Sequence, residues 1–251
     1  MSDSFERKPV SEWFAESVRV TAFLKPGSIT PEDWWKTIFS EDAENVQITR
    51  SMKTYQGKCP GLNHWLLIQS QKNRVDFIHL AAPGQDLSEL GIGPIESTIH
   101  GFFELILPVV IEHVNQASRV ALGVETGLSV GSREDCYRQL SAYLPFQLAT
   151  DASDFLYQIN RRQGSKNKDG TQINCLRKYT VAQKHFVLGQ ISSEMVQFDT
   201  SDSSGHYCNL ALDVNTVPNE NVYYSGSETN EFLQEFANIA LAFIGTGDKS
   251  P

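Results

Sequence analysis

Apolar and polar positions alternate along "SVRVTAFL" (17–24), which puts Val18, Val20 and Ala22 on one side of a strand. The period then changes. In "KPGSITPEDWWKTIFS" Thr30 suits a helix N-cap, Pro31 the first helical position, and Asp33 completes a capping-box-like pattern. Trp34, Trp35, Ile38 and Phe39 follow at helical spacing. Alternation returns at 45–50, 64–71 and 74–82, with "QKN" at 71–73 as the hairpin turn between the last two. A long helix comes next, with Pro94 near its start. Its apolar stripe is Ile95, Ile99, Phe102, Phe103, Ile106, Leu107, Val110 and Val114, and Pro108 is expected to kink it.

The second half repeats this order. "RVALGVETGLSV" (119–130) reads as a strand followed by a glycine-containing turn. "SREDCYRQLSAYLP" then echoes "TPEDWWKTIFS", with Ser132 at the place of Thr30 and Tyr137, Arg138 and Leu140 at those of Trp35, Lys36 and Ile38. Strands are predicted at 154–162, 172–180, 184–191 and 206–214. A final helix is capped by Ser225 and Glu228, striped by Phe232, Leu233, Phe236, Ile239, Ala240 and Phe243, and stopped at Gly245. The fold class is therefore α+β in two similar halves, 1–117 and 118–251. Each half runs strand, short helix, antiparallel strands, long helix, and the two pack as one unit on a shared core. Segments 1–10, 163–170, 199–205 and the last seven residues, "GTGDKSP", are expected to be disordered.

Composition narrows the function classes. Apolar residues make up 40% of the 251, charged residues 20%, and the net charge is −9, which suits a globular protein with a sizeable core. The longest apolar run, "GFFELILPVVIEHV", is interrupted by Glu104, Pro108 and Glu112, so no membrane span is expected. Four widely separated cysteines and no visible signal peptide point to reduced thiols in a cytoplasmic protein. An acidic chain is a poor general binder of nucleic acid and a better match for a protein partner. A homo-oligomer is compatible with this composition.

Against that background "INRRQGSKNKDGTQINCLRK" (159–178) carries six basic residues and one acid. Arg161, Arg162, Lys166, Lys168, Arg177 and Lys178 are the candidate binding residues. The stretch also reads as a hairpin with a charged tip, or as a tip docked on the acidic body, and it lacks an RNA-binding aromatic signature. Catalytic candidates are Asp213, an acid within the apolar strand "LALDVNT", and the pair His206 and Cys208, two apart on one strand face. Residues i and i+2 lie about 7 Å apart, too far for a direct hydrogen bond, and a half-buried strand face explains the pair as well. Cys59 and His64 have no zinc-ligand spacing with them, so no metal or cofactor is expected. No phosphate loop, serine elbow, zinc-protease or kinase signature is present.

Three stretches, "KPVSEWFAESVRVTAF", "RVALGVETGLSV" and "LALDVNT", together resemble a sporadically distributed family of uncharacterised bacterial proteins of about this length. Ala121, Val124 and Glu125 depart from the Arg, Tyr and Asn expected of that family's mid-chain strand. The resemblance implies a bacterial or phage origin and a two-half α+β fold, with a place in mobile or conflict systems by association. It assigns no catalytic residue. The function expected is a non-enzymatic cytoplasmic protein that binds another protein, such as an inhibitor, immunity or defence component. The alternatives are an enzyme or small-ligand binder with its site between the halves, and nucleic-acid binding through 159–178.

Overall fold

The computed structural model describes residues 6–25, 31–59, 64–81, 91–185, 188–192, 195–199, 204–219 and 221–248. The cap expected at Thr30 and the chain ends before 6 and after 248 lie outside them. In the first half β1 (Phe14–Leu24) leads to α1 (Pro31–Ile38), then β2 (Asn45–Ile48), β3 (Met52–Lys58), β4 (His64–Gln71), β5 (Arg74–Ala81), the two-residue β6 (Gly93–Pro94) and α2 (Ile95–His113). In the second half β7 (Ala117–Val130) leads to α3 (Arg133–Tyr143), then β8 (Leu156–Gly164), β9 (Gln172–His185), β10 (Leu188–Ser192), β11 (Met195–Asp199), β12 (Ser204–Thr216) and α4 (Gly226–Thr246). The fold is mixed α+β and mostly sheet.

Ten of the strands form one antiparallel sheet in the order β2-β3-β4-β5-β1-β7-β12-β9-β8, with β6 also pairing β1. The halves meet where β1 pairs β7, Val18 opposite Val124 and Val20 opposite Leu122. In each half the first strand lies at this seam, the last main strand beside it, and the others run outward to an edge. Strand alternation divides the sheet into two faces. Val18, Val20, Leu122, Val124, Leu210 and Leu212 turn one way and are buried. All four helices cover that side, α2 and α4 side by side over the centre. Antiparallel sheets are stable with the opposite face wet, and no helix among the described residues covers that face.

The helix stripes behave as the periodicity predicts. Ile95, Ile99, Phe102, Phe103, Ile106 and Val110 of α2 are buried, as are Phe232, Leu233, Phe236 and Ala240 of α4. Helix α2 continues past Pro108. Ser132 caps α3 by accepting from the Asp135 amide, and Ser225 and Glu228 form a full capping box on α4. Gly226 sits against the Ile111 carbonyl of α2, where a Cβ would come within 2.1 Å, so the first turn of α4 needs a glycine.

Several expectations are corrected. Helix α4 runs through Gly245 and stops at Gly247, whose φ of +71° is the left-handed value that a glycine stop requires. The glycines of "RVALGVETGLSV" lie inside β7, which continues to Val130 because Phe14 packs over Gly127. Strand β3 carries no simple alternation and is an addition. The strand expected at 184–191 is divided between the end of β9 and β10, which among the described residues pairs with β11 alone. Residues 6–10 are not loose: the Tyr143 hydroxyl donates to the Lys8 carbonyl at 3.0 Å and Arg7 Nε to Ala142 at 2.9 Å.

Candidate functional site

The basic hairpin folds back on its own protein. Ser165 Oγ and the Lys166 amide both donate to the Glu235 carboxylate of α4, at 2.7 and 2.8 Å. Asn167 Nδ2 donates to the Glu231 carbonyl at 2.9 Å. Lys168 is ion-paired with Glu228 and lies 5.0 Å from the centroid of the Tyr224 ring. That ammonium, together with the Ser225 amide, holds the Glu228 carboxyl below its ordinary range. The tip expected to be disordered is thus fastened along α4. Glu235→Ala should release it, with a loss on the order of 2 kcal/mol in urea unfolding and faster hydrogen exchange at the Lys166 amide. An unchanged exchange rate would show that the tip is held by other contacts.

The other hairpin cations divide by strand parity. Arg177 turns inward, 2% exposed, and stacks 4.0 Å from the Phe243 ring. Its Nη1 meets Asp248 Oδ1 at 2.7 Å, Arg161 approaches the same oxygen at 3.2 Å, and the Tyr157 hydroxyl donates to Oδ2 at 2.6 Å. Arg162 donates to Asn174 at 3.0 Å on the uncovered face. Lys166 and Lys178 are exposed, and Lys178 also stands on the uncovered face.

The three catalytic candidates share β12 but not a site. Cys208 is wholly buried beneath α3, its thiol 3.5 Å from the Cys136 carbonyl. The hydrogen bond with Cys136 and burial both push its thiol well above the ordinary value, so it stays protonated. His206 faces the same way but lies near the strand end, on a cavity of about 570 Å³ with Arg133, Tyr137, Asp154 and Gln183. Asp213 faces the other side of the sheet. Cys59 and His64 meet through the backbone, amide to carbonyl at 2.8 Å, and among the described residues no three His, Cys, Asp or Glu side chains gather as metal ligands.

Asp213 belongs instead to an arrangement on the uncovered face. Two adjacent rows cross the strands there. One runs Arg19 (β1), Gly123 (β7), Asp213 (β12); the next runs Glu125 (β7), Ala211 (β12), Lys178 (β9). Gly123 and Ala211, diagonal neighbours on β7 and β12, form a floor, and a depression of about 230 Å³ opens over them. The Arg19 guanidinium lies across Gly123, where a Cβ would come within 3.4 Å of it. Around the rim the charges read Arg19, Asp213, Lys178, Glu125, alternating in sign. Asp213 accepts from Asn215 Nδ2 at 2.6 Å and Glu125 from Ser17 at 3.4 Å. Arg19 and Lys178 have no hydrogen-bond or ion-pair partner among the described residues, and the buried Arg19 Nε is unsatisfied. One row further on, polar groups are closed onto each other: Thr21 donates to Asp76, Arg74 pairs with Asp76 at 2.7 Å, and Asn174 donates to Asn215.

Sequence reasoning singled out Asp213 and Lys178 but missed Arg19, Gly123 and Glu125. The signal for Gly123 and Glu125 was available in "RVALGVET", where Ala121, Gly123 and Glu125 alternate with Val120, Leu122 and Val124, and that for Arg19 in "SVRVTAFL", where it stands between Val18 and Val20. No family model, curated protein or solved structure matches the chain. No helix among the described residues is long and apolar enough to cross a membrane.

Proposed function

We propose that the protein is a binding protein whose site is the charged socket between its halves, and that the occupant is a small charged ligand. The observation that carries this reading is the pair of unpartnered cations, one on each side of the seam, facing a glycine-and-alanine floor. Polar groups shielded from water are normally satisfied, so a shielded guanidinium nitrogen without a partner favours an arriving acceptor. The volume, about 230 Å³, lies below the ~300–1,000 Å³ of sites for drug-sized ligands and suits a smaller molecule. The internal pairing of Lys168 and Arg177 weakens the alternative of a macromolecule gripped by the hairpin, for protein and nucleic acid alike. We also propose that the halves arose by duplication; their common order from seam to edge supports this, although β2, β6 and the β10–β11 hairpin have no counterparts.

Gly123→Leu tests the site. The backbone there is ordinary extended strand, so leucine should fold while filling the socket and displacing Arg19. In nitrogen-15 NMR titrations of the full chain with acetate, phosphate and methylammonium, the expected result is amide shifts clustered at 19, 123–125, 178 and 213. Those shifts should vanish in the variant, with its stability within about 0.5 kcal/mol of the parent. Shifts clustered elsewhere, or unaffected by the leucine, would refute the site.

A further inference from the structure

Resting on the socket reading, we infer that the ligand is a small zwitterion of the α-amino-acid type, its carboxylate on Arg19 and its ammonium between Glu125 and Asp213. A ring of one sign would select an ion of the opposite sign. This ring alternates and sums to zero, so it favours a ligand that presents both signs at short separation over a simple ion, which can engage only one side of the ring. The strand geometry sets the scale. Neighbouring strands lie about 4.8 Å apart and successive same-face residues about 7 Å, so the two rows frame a space a few ångströms across.

An ordinary cross-strand ion-pair lattice is the competing account of the same residues. Such pairs do close nearby, as between Arg74 and Asp76. Within the socket they do not: Arg19 and Lys178 make no ion pair with Glu125 or Asp213, and the depression occupies the space between them. The floor enforces this gap. With Gly123 and Ala211 between the charged columns, no side chain bridges from Arg19 to Asp213 or from Glu125 to Lys178. Arg19 lies flat on Gly123 and so presents an edge of its guanidinium over the floor, the geometry in which a planar carboxylate is held by two parallel hydrogen bonds. Glu125 and Asp213 stand on the adjacent strands β7 and β12, and their free carboxylate capacity is suited to an ammonium with three donors. Lys178 balances the second acid and keeps the empty site neutral.

The test is a calorimetric and NMR panel of the twenty common amino acids against the full chain, with the N-acetyl and the amide derivative of each binder. At least one amino acid should bind at the socket. Blocking its ammonium by acetylation or its carboxylate by amidation should each weaken binding about tenfold or more. Asp213→Asn should weaken the free amino acid and leave its N-acetyl derivative unchanged, an outcome that misfolding would not produce. If the N-acetyl derivative binds as tightly as the parent, the socket is a plain anion site; the zwitterion inference fails and the socket reading stands. If no amino acid binds while acetate or phosphate still shifts the socket amides, the inference likewise fails alone. If none of these probes shifts the socket amides, both readings fail.

Discussion

Asp248→Asn should destabilise the protein by about 3 kcal/mol or more, the largest effect expected of any single conservative change in the chain. The side chain it neutralises is 2% exposed and faces Arg177, also 2% exposed, with Arg161 and Tyr157 on its remaining sides. Desolvating a guanidinium is tolerable only while a counter-charge stands beside it. Asparagine keeps the volume and part of the hydrogen bonding but leaves Arg177 as a buried charge against Phe243. The same residue anchors the end of α4 through its backbone, the Asp248 amide donating to the Tyr143 carbonyl at 2.7 Å. Losing the ion pair therefore loosens the junction of α4 with α3 and β9 together. A double variant, Arg177→Met with Asp248→Asn, separates the causes. If the cost is the stranded charge, removing the arginine should recover most of the loss in urea unfolding. If the double variant is no more stable than Asp248→Asn, the loss comes from the helix end itself.

That cluster also shows what a single sequence can and cannot disclose. Arg177 was legible as part of a basic run, and alternation already implied that consecutive cations of the run point to opposite faces. Its partner was not legible, because Asp248 lies in a short polar tail that carries no pattern of its own. The same holds for Lys168 with Glu228, and for the Lys166 backbone amide with Glu235, where the acid lies on a helix and the hairpin partner in a turn. Local charge is written in the chain; its neutralisation is a property of packing.

The elements divide along a similar line. Strand β1 and helices α2 and α4 were readable because one face of each is largely apolar. Strand β3, "MKTYQGK", was not, because what it buries is polar or small: Thr54, Tyr55 and Gly57. Gly57 lies under the Trp35 ring, where a Cβ would come within 3.0 Å, so its identity answers to a helix rather than to its own strand. Gly123 and Gly127 mislead for the same reason. A glycine in an isolated stretch suggests a turn, whereas here one underlies Arg19 and the other Phe14. The socket is half legible: the charges could be placed on a strand face, but the sheet order that brings β1, β7, β12 and β9 together could not be derived from alternation.

Acidification should cost the protein a definite part of its stability through one histidine pair. His79 is 3% exposed, packed on Phe102 and against the His64 ring at 5.1 Å, with neither ring nitrogen bonded. Burial, reinforced by the neighbouring His64, lowers its pKa to about 4, and burial lowers that of His64 as well. Both are neutral in the native state at pH 7. The unfolded chain binds protons first, near pH 6.5, so the stability due to neutral His79 is complete above that value. It is lost as pH falls towards about 4, below which both states are protonated and the loss levels off. For His79 alone the decrease between pH 7 and 4.5 is about 2.5 kcal/mol. Native carboxylates that are ion-paired add their own decline in the same range, so the histidine share is read as a difference between proteins. His79→Phe keeps an aromatic ring on Phe102 and cannot charge. Its stability, from urea midpoints at pH 7 and 4.5, should fall with acid by about 2.5 kcal/mol less than that of the parent. Parallel pH curves for the two proteins would mean that His79 accepts its proton without disturbing the core, through an opening of the β4–β5 sheet corner over α2.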